Sequence, residues 1–167
     1  MKAHEGPLDR ENHRIAVTGI VWKNSDDGRR TYLITKRALT KKAWPGKWTV
    51  PGGGLEVDDY INSEPTYQNS ESPQWYNAVE NTLRREIREE CGLEIEDIRY
   101  LLDVAFIRPD GIPVIVLSFY CKYAGGEIAY DDDTIDHAWV TADEVGSYDL
   151  IQGIDREIEL ADKKLSE

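Results

Sequence analysis

The chain is poor in sulfur and in positive charge. It has two cysteines, Cys91 and Cys121, and neither stands at a metal-type spacing. A disulfide framework or thiolate metal site is therefore excluded as the source of stability. Both thiols read as buried and idle, which fits a reduced, cytoplasmic setting. No apolar run approaches the length of a membrane span. The first stretch, MKAHEGPLDRENHR, is too polar for a signal peptide, so no membrane partner is expected. Lys and Arg number 20 against 32 Asp and Glu, a net charge of −12. Such a surface repels a nucleic-acid backbone, so no long nucleic acid is expected. A nucleotide stays open as a ligand, because bound divalent cations reverse the charge locally. Repeats and linkers are also missing, and 167 residues suit one domain that buries its own core.

What is present alternates between strand and helix patterns. Residues 1–14 read as a loose arm ahead of a domain over 15–167. Ile15 to Trp22 is apolar and β-rich, and Asp27-Gly28 marks a hairpin into Thr31 to Arg37. A loop and a short strand, Trp48 to Val50, lead into Pro51 and three glycines. Ser72 as N-cap and Pro73 as first residue predict a helix that Gly92 stops. Val79, Leu83 and Ile87 recur every four residues as its core face. Two strands follow, Ile98 to Ile107 and Ile112 to Tyr123, joined by the RPDG turn. After an acidic loop come a short strand, HAWV, a short helix capped by Thr141, and a closing helix near 153–165. The expected architecture is α/β (α+β), a mixed sheet with helices packed on it.

The chemistry concentrates in two places. In RREIREECG, on a helix turning ~100° per residue, Glu90 falls about 40° to one side of Glu86 and Glu89 about 60° to the other. Like charges so placed oppose helix formation, and they border the core positions Leu83 and Ile87. A divalent cation with hard oxygen ligands would neutralise them. The alternative is a solvated helix face paired with Arg84, Arg85 and Arg88. The second place is the glycine cluster, where backbone can approach an ion or phosphate closely.

Together these two segments resemble the Nudix box, G-x5-E-x7-R-E-U-x-E-E-x-G-U, where U is a bulky aliphatic. Arg85, Glu86, Ile87, Arg88, Glu89, Glu90, Cys91, Gly92 and Leu93 match its second half, and Gly53 its first glycine. Asp59 stands where the pattern has Glu. Between Asp59 and Arg85 lie 25 residues where the pattern has seven, an insertion of 18. The resemblance extends from about Ile15 to Tyr148 and implies an α/β/α sandwich with a mixed central sheet.

It further implies a Mg²⁺-dependent, or Mn²⁺-dependent, hydrolase of a nucleoside diphosphate linked to another group, most simply a nucleoside triphosphate or deoxynucleoside triphosphate. Glu86, Glu89, Glu90 and the Gly53 carbonyl are the implied metal ligands, with Arg85 orienting a carboxylate such as Asp59 or Glu86. Gly52, Gly53, Gly54, Glu56 and Arg37 are the expected substrate contacts. Asp133 and Asp136, in the acidic loop, are the candidates for general base or further metal ligand. Residues 60–77 form an inserted loop whose aromatics, Tyr60, Tyr67, Trp75 and Tyr76, either stack on a base, contact a second copy in a homodimer, or merely start the helix. Three other functions are compatible. ADP-ribose or a nucleotide sugar is an alternative substrate, suggested by Pro109, 16 residues after Leu93. A non-catalytic nucleotide-binding module is another, and an isoprenoid diphosphate isomerase is the third, although it needs a reactive Cys and neither Cys91, inside the helix motif, nor Cys121, in a core strand, is well placed for that.

Overall fold

The computed structural model describes residues 12–68 and 72–167. Most of the expected N-terminal arm, residues 1–11, and the centre of the expected insertion, 69–71, lie outside the described residues. Strand β1 (Arg14–Asn24) turns through Gly28, at φ +82°, into β2 (Arg30–Arg37). The two pair only between Trp22–Asn24 and Arg30–Tyr32, then part. The next segment fills the fork. Strand β3 (Trp48–Thr49) pairs with β2, and β4 (Gly52–Gly54) pairs with β1. The glycine turn is thereby wedged into the middle of the sheet.

A 3-10 turn (Val57–Asp59) and a two-strand ribbon, β5 (Tyr67–Gln68) with β6 (Pro73–Gln74), precede helix α1 (Ala78–Cys91). Gly92 ends α1 at φ +71° and returns its N–H to the Arg88 carbonyl at 2.8 Å. Then β7 (Leu93–Ile107) and β8 (Pro113–Gly126) form a long hairpin. Strand β8 lies parallel to β1, and β9 (Thr134–Val140) lies antiparallel to β2. Helix α2 (Ile154–Ser166) closes the described chain. The sheet runs β3-β2-β1-β8-β7, with β4 on β1 and β9 on β2.

Alternation along the strands sends neighbouring residues to opposite faces. Leu33 therefore packs with Val17, Leu83, Ile87 and Cys121 under α1, while Ile34 packs with Ile20, Tyr32, Val140 and Ile158 under α2. Each such side chain contributes about 1.5–3 kcal/mol on burial. The result is the mixed sheet between two helices that the sequence predicts. Gly19 lets α1 lie close, since a Cβ there would sit 2.7 Å from Cδ1 of Ile87.

Two expectations need correction. Helix α1 starts at Ala78, not Pro73. Pro73 and Gln74 are drawn into the ribbon, Trp75 packs on Tyr60 with centroids 5.4 Å apart, and Thr66 accepts the Tyr76 N–H. These contacts outweigh the local helix-start signal. After Val140, a 3-10 turn (Val145–Ser147) replaces the short helix, and Thr141 accepts the first N–H groups through its carbonyl.

Candidate active site

The wedge brings the two halves of the split motif together. A Cβ built on Gly53 would lie 2.2 Å from Cδ of Glu86, so only glycine admits that carboxylate. One turn further along α1, Glu90 accepts the Gly52 N–H at 2.9 Å. Gly52 has φ +156°, and a Cβ there would lie 2.1 Å from the Val17 carbonyl oxygen. The antiparallel register pairs Val17 with Gly53, flanked by Gly19 N–H to Pro51 and Leu55 N–H to Ile15. In that alternation Val17 and Gly53 exchange both backbone bonds. The Gly53 carbonyl, an expected ligand, is thus bonded to β1, and the Gly52 peptide is the one turned toward Glu90. Gly54 lies under the Arg14 guanidinium, a cation the sequence did not single out.

Arg85 organises one side of the site. Its guanidinium pairs with Asp59, with Glu86 at 3.0 Å and with Glu89 at 2.9 Å. It also donates to the Gly54 carbonyl at 3.2 Å. Asp59 is only 2 % exposed. Burial works to raise its pKa, but Arg85, the Glu56 N–H and the Thr82 hydroxyl outweigh burial and hold it below the usual range. The shorter Asp fits because it caps the 3-10 turn at Glu56, an exposed residue whose contact is with this turn. The expected Arg85 partners, Asp59 and Glu86, are both present.

The other side is unbalanced. Burial pushes Glu90 up to about 8, helped by the charges of Glu86 and Asp131 and opposed by Gly52 and Arg37. Burial raises Glu86 as well, in spite of Arg85. Glu89 is 56 % exposed. Among the described residues, no three acid, imidazole or thiol groups form a ready metal shell. Arg85 lies among Asp59, Glu86 and Glu89 instead. The donors nevertheless suit a hard cation: two desolvated carboxylates one turn apart, a third that is exposed, and a glycine peptide beside them. Such a cation would offset the burial that raises Glu90 and balance the neighbouring charges of Glu86 and Asp131.

Arg37 and the loop acids complete the set of expected residues. Arg37 ends β2, donates Nε–H to the Ala43 carbonyl at 3.0 Å and senses Glu90. Trp48 packs into the α2-side core, and Trp44 meets Phe106 edge-on at 5.9 Å. In the acidic loop the emphasis shifts. Asp133 pairs with Lys41 at 2.5 Å, and Asp136 is exposed and accepts the His137 N–H. Asp131 is the loop acid whose charge reaches Glu90. Nothing in the run AYDDDTID separates these acids, because the choice is made by how the loop turns back on α1, with Ala129 N–H bonded to the Cys91 carbonyl. Cys91 and Cys121 are both buried in the α1-side core, and burial raises both thiols, so neither is poised for isomerase chemistry.

Comparison with known proteins bears on this arrangement. The NUDIX domain family model matches residues 12–160. Nucleoside triphosphatase NudI of Salmonella typhimurium is 33% identical over 130 residues, covering 71% of this chain and 79% of the relative. The structure of the MutT protein from Methanosarcina mazei Go1 superposes with a TM-score of 0.66 at 20% identity, over 95% of this chain and 99% of that one. The NUDIX domain of Shewanella oneidensis NrtR, solved with ADP ribose, gives 0.72 at 16% identity, over 97% and 94%. At these identities the two structures speak for the fold alone.

Proposed function

This chain belongs to the Nudix family of phosphoanhydride hydrolases, and from that premise we propose that it is a divalent-cation-dependent pyrophosphohydrolase of nucleoside triphosphates. The observation that carries this reading is the seating of Glu86 and Glu90 against Gly53 and Gly52, two desolvated carboxylates one helical turn apart, with Arg85 reaching only the first. The 33% identity to a nucleoside triphosphatase supports the choice of substrate class.

In this reading Glu86, Glu89 and Glu90 hold Mg²⁺ or Mn²⁺, and the backbone oxygen beside them comes from Gly52, in place of the Gly53 carbonyl. When bound, the ion neutralises the anhydride, polarises its P–O bonds and lowers the pKa of water. The protein groups do the positioning. Arg85 fixes Glu86 and Glu89, and Asp59 fixes Arg85. Asp131 takes the role first sought at Asp133 and Asp136, that of accepting a proton from the attacking water. Water oxygen bonds to phosphorus, the anhydride oxygen leaves with its electron pair, and a nucleotide is released. Arg37 meets the phosphates from the end of β2.

The test is a panel of nucleoside and deoxynucleoside triphosphates, ADP-ribose and nucleotide sugars, assayed with MgCl2 and again with EDTA. Metal-dependent turnover of triphosphates, lost in Glu90→Gln, is the expected result. Turnover of ADP-ribose alone would overturn the substrate class. Metal-independent turnover, or none with any member, would overturn the mechanism.

A further inference from the structure

Three chain segments meet around Trp44 and Phe106, beside Arg37, on which the charge of Glu90 acts. Arg37 ends β2 and holds the β2–β3 loop through the Ala43 carbonyl. The next residue, Trp44, has φ +49°, a conformation rarely adopted by a bulky side chain. That twist turns its ring onto Phe106 near the end of β7. Two residues on stands Arg108, at the start of the β7–β8 turn. Its side chain is largely buried, and Asp110 takes its Nη2 at 2.7 Å. Its Nε is buried and, among the described residues, has no partner. The guanidinium fork is thus half used. Burial depresses Arg37, the charges of Glu90 and Asp133 oppose this, and the charge of Arg108 adds a smaller depression. An anion that reached the buried Nε of Arg108 would complete its fork, and it would also favour Arg37, a cation that burial disfavours. Guanidinium forks match phosphate oxygens in pairs.

We propose that Arg108 and Arg37 form an anion subsite that grips the phosphate farthest from the nucleoside, so that the site selects a triphosphate chain over a diphosphate. The inference rests on the hydrolase reading above and adds Arg108 to it as a specificity residue. The expected contact is bidentate, with Nε and Nη2 of Arg108 turning from Asp110 to the phosphate. Arg37 closes on the same group from β2.

Two readouts test it. The first is calorimetric binding of inorganic tripolyphosphate in MgCl2 to the wild type, Arg108→Gln, Arg108→Lys and Asp110→Asn. The second is the KM and kcat of each for a nucleoside triphosphate and for ADP-ribose. Arg108→Gln should weaken tripolyphosphate binding and raise the triphosphate KM by about 10- to 100-fold. Its kcat should change much less, and ADP-ribose kinetics should not move. Arg108→Lys should recover part of the loss, because it keeps the charge and loses the fork. Asp110→Asn should bind as tightly as wild type or more tightly, since it frees the fork. Weakening by Asp110→Asn equal to that of Arg108→Gln would mean that the turn merely collapses, and would overturn the proposal. So would a folded Arg108→Gln variant that binds tripolyphosphate like wild type. An enzyme without turnover whose tripolyphosphate binding still depends on Arg108 would defeat the hydrolase reading and leave the subsite standing.

Discussion

Asp59 and Glu90 are two buried carboxylates of one motif, and the protein treats them oppositely. Asp59 receives a guanidinium, a hydroxyl and a backbone N–H, and it stays ionised. Glu90 receives one backbone N–H and is pushed up to about 8. Both lie near α1, so proximity to the helix does not explain the contrast. The partners do. A carboxylate that the chain itself completes is a positioning element. A buried carboxylate left short of positive charge is poised for a cation from outside. Arg85 marks the border, because it satisfies Asp59 fully and reaches Glu86 and Glu89 from one side only.

The sharpest way to break this contrast is Glu90→Gln. Turnover with MgCl2 should fall by about 10³-fold, the several kcal/mol expected from ion-mediated charge stabilisation. The folded protein without metal should melt no lower than wild type, because a desolvated acid has been replaced by a neutral amide. Added MgCl2 should raise the melting temperature of the wild type and not of the variant. A variant that still gains stability from MgCl2 would move the ion away from Glu90.

Gly53→Ala comes next. The new methyl would overlap the Glu86 carboxyl, at 2.2 Å from Cδ, and push it off the turn. Activity should fall about 10²-fold, the scale on which small misplacements act in active sites. Denaturant titration should show a loss of less than about 1 kcal/mol, because the displaced atoms are the free end of a flexible side chain. Near-wild-type turnover would mean that the close approach of Gly53 and Glu86 is dispensable.

Much of this was legible from residue order. The four-residue recurrence of Val79, Leu83 and Ile87 gave the buried face of α1, and Gly92 gave its end. The glutamate spacing gave the acidic face, and the box pattern tied it to Gly53 across the insertion. What was not legible depends on tertiary contacts. Ser72-Pro73 is a sound helix start, yet pairing with Tyr67–Gln68 takes Pro73 into a ribbon. Asp131, Asp132 and Asp133 are equivalent as text, and the loop's return to Cys91 is what lets the charge of Asp131 bear on Glu90. Arg108 read as part of a turn, because its link to Arg37 runs through Trp44 and Phe106 from distant segments.

Asp59→Asn probes the completed half of the contrast. It keeps the shape and removes the charge that Arg85 faces. Arg85 is 28% exposed, so water softens the loss, and about 2 kcal/mol of stability should go, below the range for fully buried pairs. Activity should drop only about tenfold, since Arg85 retains Glu86 and Glu89 and acts through them. A drop as deep as that of Glu90→Gln, measured as kcat, would place Asp59 among the reacting groups.

The smallest effect belongs to the insertion. Trp75 packs on Tyr60 and donates to the Ser63 carbonyl at 2.9 Å, so these described residues of the segment pack on one another. Tyr67 and Tyr76 remain exposed there. Trp75→Ala should therefore loosen residues 60–77 without touching either core. Global stability by denaturant titration should change by less than about 1 kcal/mol, while proteolytic cleavage within 60–77 speeds up. If triphosphate KM also rises, the aromatics of the insertion take part in binding. An unchanged KM beside faster cleavage would leave the segment as an excursion tolerated between two halves of a site that Gly53 and Glu86 hold together across it.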